Sequence, residues 1–500
     1  MLFYKEIEWE ILQDEKIFND EYYNFEFPFP MPHIKSIKIK RDEFYNLTVE
    51  INIISDEKLP YDIRTTHNID FIKIQDKYSS EEYLLENCYN LRYKSFFEYD
   101  KQHATIFSSV LKVTFNKSTD ENTGWIKEWY LNGPTDEFIF QRSIKYTKKE
   151  VYGKKFDKDI TELIPSKFKI ETFEKSYTKC RNFLFCKLNN EENIIIKLVP
   201  EELGPKWSNC ISINYNSKNL ISNNNHRRSI EAIISFIFGR KLIKIAESYY
   251  NSNGEKIKEE IFNPTIDETF NIKNICKIDY LFPIYFNPNF REKTELIISN
   301  IINSFINKID KLDFSSMLTN YFNSLYLPPE SEIILLAASL ESITNKWLKS
   351  ENSKRKTTIL DKSEYKHKIK EIRLLFLDKF SEHKPLVDKF NELNKLSTNK
   401  SFERFFDEIG MEIGDIEHEA IQSRNNPVHG NDINTEDYLD LIFCANVYRI
   451  ILNRVILLLL NFDGEYVIDK MNHTSIYNKI PYSLEEMRDD IYKLESYTIE

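Results

Sequence analysis

Glycine is scarce in this chain: 10 in 500 residues, where a share of about 7% is usual. No two glycines stand in a G-x-G-x-x-G pattern, and no Gly-Lys-Ser or Gly-Lys-Thr follows another glycine at P-loop spacing. Backbone amides approach a nucleotide's phosphates only where side chains leave room. A P-loop NTPase and a Rossmann dinucleotide enzyme of the usual kind are therefore excluded. Cysteine is also sparse. Cys88, Cys180, Cys186, Cys210, Cys276 and Cys444 form no C-x-x-C pair and have no histidine at zinc spacing, so they read as separate thiols of a reducing compartment. No His/Asp/Glu cluster has metal-ligand spacing, and neither metal nor cofactor is expected. Positive charge is in deficit, with 68 basic against 79 acidic residues and a net charge of -11. Attraction to nucleic acid would have to come from a local patch.

The opening MLFYKEIEWEILQDEK is charged where a secretory leader has an apolar run, so a cytoplasmic protein is expected. One long apolar run exists, LIFCANVYRIILNRVILLLL at 441–460. It carries Asn446, Arg449, Asn453 and Arg454, and two arginines are costly in a bilayer. A buried helix of a soluble domain is the better reading, and no membrane partner is expected. No repeat of fixed period is visible.

What is present is a globular composition, 41% hydrophobic and 29% charged, at a length that suits about two to four domains. Up to about residue 260 short runs alternate Val, Ile, Phe and Tyr with polar residues: 34–40, 47–54, 104–115, 124–131, 137–146 and 193–199. That period of two predicts half-buried strands. Asn132-Gly133 and Asn253-Gly254 suit hairpin turns, and one helix is predicted near 228–238. Trp125 and Trp129 read as core residues, and His226-Arg227-Arg228 as decoration of a helix start.

From Asn287 the period becomes 3.6. Residues 295–309 are amphipathic, and Leu327-Pro328-Pro329 opens a new helical domain. Ile333, Leu336, Leu340, Ile343 and Trp347 form a single-face stripe on a first helix. Ile369, Ile372, Phe376 and Phe380 are in register on a second, and Ile413, Ile416 and Ala420 on a third. A fourth starts at Thr435, an N-cap followed by Glu436 and Asp437, and runs to about Leu460. Four such helices make a bundle. The expected divisions are a β-rich module at 1–285 with room for two subdomains, a helical connector at 286–325, the bundle at 326–465, and a polar tail at 466–500 with one helix around 483–495.

Between the third and fourth helices lies SRNNPVHGN, residues 423–431. Arg424 follows Ala420 by four residues, extending that helix's stripe, and Pro427 stops the helix. His429 then falls on a tight loop within reach of Arg424. An arginine keeps its charge and presents a donor fork that matches phosphate oxygens. A histidine takes and returns a proton near neutral pH. The pair suits phosphodiester chemistry. The plain alternative is that both residues cap and staple the turn between the helices.

Arg424-Asn425-x-x-x-His429, at the start of the last long helix of a C-terminal bundle, resembles the R-x(4–6)-H signature of HEPN ribonucleases. The layout of the chain resembles the ApeA-type anti-phage proteins, with a long β-rich N-terminal part followed by a HEPN domain. The pattern covers roughly 326–465; the N-terminal similarity is architectural. The resemblance implies an α+β multidomain chain, a β-rich N-terminal module followed by a C-terminal all-α HEPN-type four-helix bundle. It implies a homodimer through the HEPN domain, whose two motifs build one composite, metal-independent site. That site cleaves RNA, with tRNA as the family's analogue, by attack of the ribose 2′-hydroxyl to leave a 2′,3′-cyclic phosphate. His429 would then be the general acid/base, Arg424 the phosphate clamp and Asn425 an orienting residue. The role implied is abortive infection, with a phage-derived trigger read by the N-terminal module.

Glu341, inside the apolar run of the first helix, is a candidate to orient Arg424; the alternative is an exposed glutamate on the outer face. Residues 346–370 hold nine Lys/Arg against three Asp/Glu. They make Lys354, Arg355, Lys356, Lys366 and Lys368 RNA-binding candidates, or simply a solvated loop. Against RNA, residues 403–440 hold eleven acidic and two basic side chains. Two competing classes stand beside the nuclease: a non-catalytic HEPN-like scaffold or dimerisation module, and a nucleotide-binding sensor.

Overall fold

The structure, a computed structural model, describes residues 10–12, 15–55, 68–98, 101–117, 122–134, 149–152, 169–175, 178–181, 183–189, 192–199, 204–216, 218–264, 272–277, 283–284, 286, 291–312, 314–350, 353, 358–423, 435–464, 466–470 and 473–477. It is an α+β protein, with a large antiparallel sheet in the N-terminal part and helices in the C-terminal part. The described residues fall in two compact units, Met1–Tyr280 with Phe286–Ser299, and Leu281–Tyr285 with Asn300–Glu500.

The strands of the first unit are β1 Lys16–Asn19, β2 Tyr23–Glu26, β3 Ile34–Arg41, β4 Leu47–Ser55, β5 Ile69–Asp76, β6 Glu81–Glu98, β7 Lys101–Lys117 and β8 Thr123–Leu131. They continue with β9 Lys149–Tyr152, β10 Lys169–Lys175, β11 Thr178–Arg181, β12 Phe183–Lys187, β13 Asn193–Leu198, β14 Ile211–Tyr215, β15 Ile243–Asn251 and β16 Lys256–Phe262. Helices α1 Lys218–Ser222 and α2 Asn224–Ile237 lie between β14 and β15, and α3 Ile272–Lys277 follows β16. Thirteen strands form one sheet, with the path β1-β3-β4-β7-β16-β15-β8-β14-β13-β12 and a branch β2-β5-β6 joining at β7; β9, β10 and β11 form a separate three-stranded sheet. The 17-residue β7 is the junction. One of its edges pairs with β6 along its length. The other is shared, Gln102–Ser109 pairing with β4 and Lys112–Asn116 with β16.

The period-two reading holds for β3, β4 and β7 as far as Val110, because Ile37, Ile39, Val49, Ile51, Ile53, Ala104, Ile106 and Val110 face one apolar core; beyond it the alternation breaks, with Val113, Thr114 and Phe115 buried in a row. β8 departs from simple alternation: from Trp125 to Leu131 every residue is buried. One of its faces stacks Trp125 on Tyr250 with ring centroids 3.8 Å apart, and sets the Lys127 ammonium over Trp129 at 4.7 Å. There Trp129 Nε1 donates to Ser248 Oγ at 2.8 Å, and that hydroxyl donates to buried Glu259 at 2.5 Å. The other face carries Glu128 and Tyr130 toward α2.

Asn253-Gly254 makes the β15–β16 turn, where Gly254 adopts φ 81° and Asn251 accepts the Gly254 amide. Asn132-Gly133 does not fold a hairpin back on β8, whose two edges are already taken by β14 and β15. Instead the Asn132 amide donates to Ser208 Oγ at 2.8 Å, and the Gly133 amide donates to Asn209 O at 2.8 Å. The run expected as a strand at 137–146 lies outside the described residues.

The second unit continues with α4 Arg291–Leu312, which begins in the first unit, then α5 Phe314–Ser324, α6 Pro329–Lys349, α7 Lys362–Phe380, α8 Lys384–Asn391, α9 Thr398–Ile409, α10 Asp415–Ser423 and α11 Thr435–Leu459. On α6 the apolar stripe is core: Ile333, Leu336, Leu340 and Ile343 are buried against α5 and α11, and α9 also packs on α6. α7 departs from its expected role. Its apolar residues are in register, yet Ile372, Leu374 and Leu375 are 57–65% exposed. The helix leans on α8 through Phe376 and Phe390, stacked at 4.3 Å. A stripe defines which side of a helix is apolar and not what covers it.

The tail at 466–500, expected to be polar with one helix around 483–495, opens on a pair of strands. Tyr466–Lys470 and His473–Tyr477 form an antiparallel hairpin, β17 and β18, with Tyr466 fully buried and bridged to Ile284. The helix expected around 483–495 lies outside the described residues.

Candidate functional site

Arg424, Asn425 and His429 lie outside the described residues, as do Lys354, Arg355 and Lys356. The helices on either side of the first three are described. α10 ends at Ser423, whose hydroxyl donates to Ala420 O at 2.6 Å, and α11 opens at Thr435.

α10 and α11 are locked together. The Glu417 and Arg454 side chains are both fully buried and meet at 2.7 Å. The second Glu417 oxygen accepts the Gly414 amide at 3.0 Å, satisfying a donor that the start of α10 leaves open. Arg454 Nη2 adds a bond to Glu412 O at 3.0 Å. A buried charge pair holds only when its remaining bonding capacity is also used, and these backbone partners use much of it. Elsewhere on α11, Arg449 pairs with Glu332 of α6, and Asn453 accepts from Tyr321 of α5 at 2.9 Å. Three of the four polar residues that interrupt the 441–460 run, Arg449, Asn453 and Arg454, thus tie α11 to its neighbours. Asp440–Leu459 is, among the described residues, the one helix long and apolar enough to cross a membrane, and most of it is buried inside the protein.

Glu341 sits on α6, half-buried and engaged by a neighbour. Lys366 and Lys368 are exposed on α7, and Lys368 pairs with Glu364 at 2.7 Å. Some carboxylates of the acidic stretch 403–440 are engaged within the fold, by ion pairs or by hydrogen bonds from neutral donors. Besides Glu417, Glu408 accepts from Trp347 Nε1 at 2.8 Å and from Ser353 Oγ at 3.1 Å, and Glu403 pairs with Lys400 at 2.5 Å.

A second constellation went unread in the sequence. In the first unit, α2 lies on β8 and β15 through charged groups. Arg227 is buried; its Nε donates to Glu128 at 3.1 Å, its Nη2 to Glu247 at 2.5 Å, and its Nη1 to Leu220 O and Ile221 O at 2.8 Å each. Lys244 Nζ bridges Glu128 and Glu247 at 2.5 Å each. Tyr130 donates to Glu128 at 2.6 Å and Tyr249 to Glu247 at 2.7 Å. Burial would raise the Glu128 carboxyl, but the Lys244 ammonium, the Tyr130 hydroxyl and the Arg227 guanidinium outweigh it and hold the carboxyl below its usual range. Glu231, one turn along α2, goes the other way: burial first and the Glu128 charge second push it up to about 7. A cleft of about 600 Å³ opens over this network, lined by Arg228, Glu231, Lys244, Glu247, Tyr249 and Glu260 among others.

The sequence did carry a signal. Arg227 stands three and seven residues before Ile230 and Ile234, on the buried face of α2, which is no place for surface decoration. Asn223, whose side chain accepts the His226 amide at 3.1 Å, starts the helix earlier than the basic triplet suggested.

No family model matches the chain, and no curated protein or solved structure is matched by it. Among the described residues no three His, Cys, Asp or Glu side chains are grouped to hold a metal ion. Cys88, Cys186, Cys210, Cys276 and Cys444 are buried free thiols.

Proposed function

We propose that the chain is a metal-independent endoribonuclease of the HEPN type, acting as a homodimer in anti-phage defence. The observation that supports this reading is the frame on both sides of the Arg424–His429 segment. α10 and α11 are clamped by the Glu417–Arg454 pair, so the short connection between them leaves and enters rigid helices. A catalytic pair needs its groups held to within a fraction of an ångström, and two helices fixed to one another on either side of the segment suit that need.

In this reading His429 of one protomer takes the proton from a ribose 2′-hydroxyl. The 2′-oxygen attacks the adjacent phosphorus, and the 5′-oxygen leaves with a proton from the second His429. The products are a 2′,3′-cyclic phosphate and a 5′-hydroxyl. Arg424 holds the phosphate oxygens and the charge that grows on them in the transition state, and Asn425 orients the pair. Exposed Lys366 and Lys368 supply backbone contacts to RNA, tRNA being the substrate that the family analogy favours. The dimer has an apolar surface at hand in Ile372, Leu374 and Leu375 of α7, too exposed to be idle in a soluble protein. The N-terminal module restrains the nuclease until a trigger arrives.

The test is cleavage of total RNA by the purified chain in EDTA, with and without lysate of infected cells as the source of trigger, and with product ends mapped. Cyclic phosphate ends made by the wild type and abolished in His429→Ala, with folding and dimerisation intact, support the reading. Undiminished cleavage in His429→Ala, or no cleavage by the wild type with lysate, removes it.

A further inference from the structure

We propose that the α7–α8 hairpin is an assembly arm, through which two copies of the chain pair about a two-fold axis, the apolar residues of each arm covering those of the other.

Among the described residues thirteen large hydrophobic side chains are exposed, and seven of them lie between Ile359 and Leu393. No described side chain of α7 or α8 is buried. The hairpin is nevertheless firmly attached. At its base Thr358 bridges Lys395, and the Ile359 amide donates to Asn394 O at 2.9 Å. The buried Asn394 side chain accepts from the Leu360 amide at 2.8 Å and donates to the Leu360 carbonyl at 3.0 Å. Arg404 of α9 donates to Thr358 O at 2.8 Å. The arm is fastened at its neck and exposed along its length.

Pattern and charge name the occupant. Leu374, Leu375, Phe376 and Leu377 are consecutive, and at about 100° per residue they go most of the way round α7. α8 takes one side, through Phe376 on Phe390, and leaves Leu374 and Leu375 63% and 65% exposed. A helix apolar on every side is built for burial among other helices, whereas one that lies on a membrane keeps a polar face toward water. Between Lys362 and Glu392 stand eight basic and six acidic side chains, near balance in a chain of net charge -11. Copies of such a chain repel one another as wholes, and the arm is where that repulsion lapses. A surface that meets its own copy must be self-complementary, and both signs of charge with exposed leucines satisfy that. α7 and α8 offer 19 and 8 residues, about the 20–30 that one side of a standard interface uses. The arm supplies the dimer that the proposed function calls for and rests on that reading only for what the dimer is for.

The experiment is the mass of the full chain by size-exclusion chromatography with light scattering, at physiological salt. Wild type should run at twice the mass of one chain. Leu374→Glu combined with Leu375→Glu should run as a single chain, and Leu386→Glu combined with Leu393→Glu, on the α8 side, should do the same. All four leucines are exposed and glutamate is a good helix former, so helical circular dichroism should be retained; the second pair decides if the first fails to fold. Leu296→Glu, on α4 and 60% exposed, should stay a dimer. A monomeric wild type overturns the proposal, and its flotation with anionic lipid vesicles would assign the arm to a membrane instead. A dimer that persists in either folded pair, or one that Leu296→Glu also breaks, overturns it as well. These masses are read without RNA, so they neither decide the cleavage test of His429→Ala nor depend on it.

Discussion

The Glu417 carboxylate and the Arg454 guanidinium meet at 2.7 Å with neither side chain touching solvent, and they tie α10 to α11. Removing one partner strands the other charge in the interior. Glu417→Ala should cost about 3–5 kcal/mol in urea unfolding followed by helical circular dichroism. Replacing both residues with apolar side chains of similar volume should recover much of the loss, and a double variant as unstable as the single one would show that the pair contributes more than mutual neutralisation.

On the proposed nuclease reading, Arg424→Lys keeps the charge and loses the donor fork. Cleavage rate should fall on the order of 10²-fold while RNA affinity at low salt changes little. His429→Ala should lose about 10²–10⁴-fold in rate. Single-turnover cleavage of a labelled RNA measures both, and equal losses of binding and rate in Arg424→Lys would argue for a structural arginine.

Glu231 makes a signed prediction about pH. Its folded pKa of about 7 lies above the roughly 4.3 of an unfolded glutamate, so between these values the folded chain holds a proton that the unfolded chain has released. The stability this group contributes is present at low pH and is lost as pH rises through that window, at up to about 1.4 kcal/mol per unit. The difference between wild type and Glu231→Gln in urea midpoints at pH 5, 6, 7 and 8, followed by tryptophan fluorescence, isolates it. Glu231→Gln should gain on wild type as pH rises, and a difference independent of pH would show that the carboxyl titrates normally.

Ser248 links the indole of Trp129 to the carboxylate of Glu259 inside the β8–β15 face. Ser248→Ala removes both bonds and should destabilise the first unit by about 1–3 kcal/mol. A thermal melt monitored by tryptophan emission should shift, and an unchanged melt would mean that other neighbours take over both groups.

Much of the scaffold was legible because it rests on periodicity. The alternation of β3, β4 and β7 and the stripe Ile333, Leu336, Leu340, Ile343 each name a buried face, and the structure buries those faces. What was not legible depends on partners remote in sequence. Arg227 looks like a surface residue until Glu128, 99 positions away, is brought to it. Ile372 looks like core until its side of α7 proves exposed, the helix resting on α8 through Phe376 and Phe390 instead. Of the motif residues, the sequence supplies the chemistry and the described structure supplies the two helices that bracket them.

The shared edge of β7 bears on how the chain is made. As the N-terminal unit emerges from the ribosome, the first half of that strand finds β4 already synthesised, while the second half must wait for Lys258–Phe262, some 145 positions later. Throughout that interval Lys112–Asn116 presents an open rung to any strand nearby. Nascent chains halted before β16 should accordingly be the species most prone to stick to one another, and chains released after it should stay dispersed.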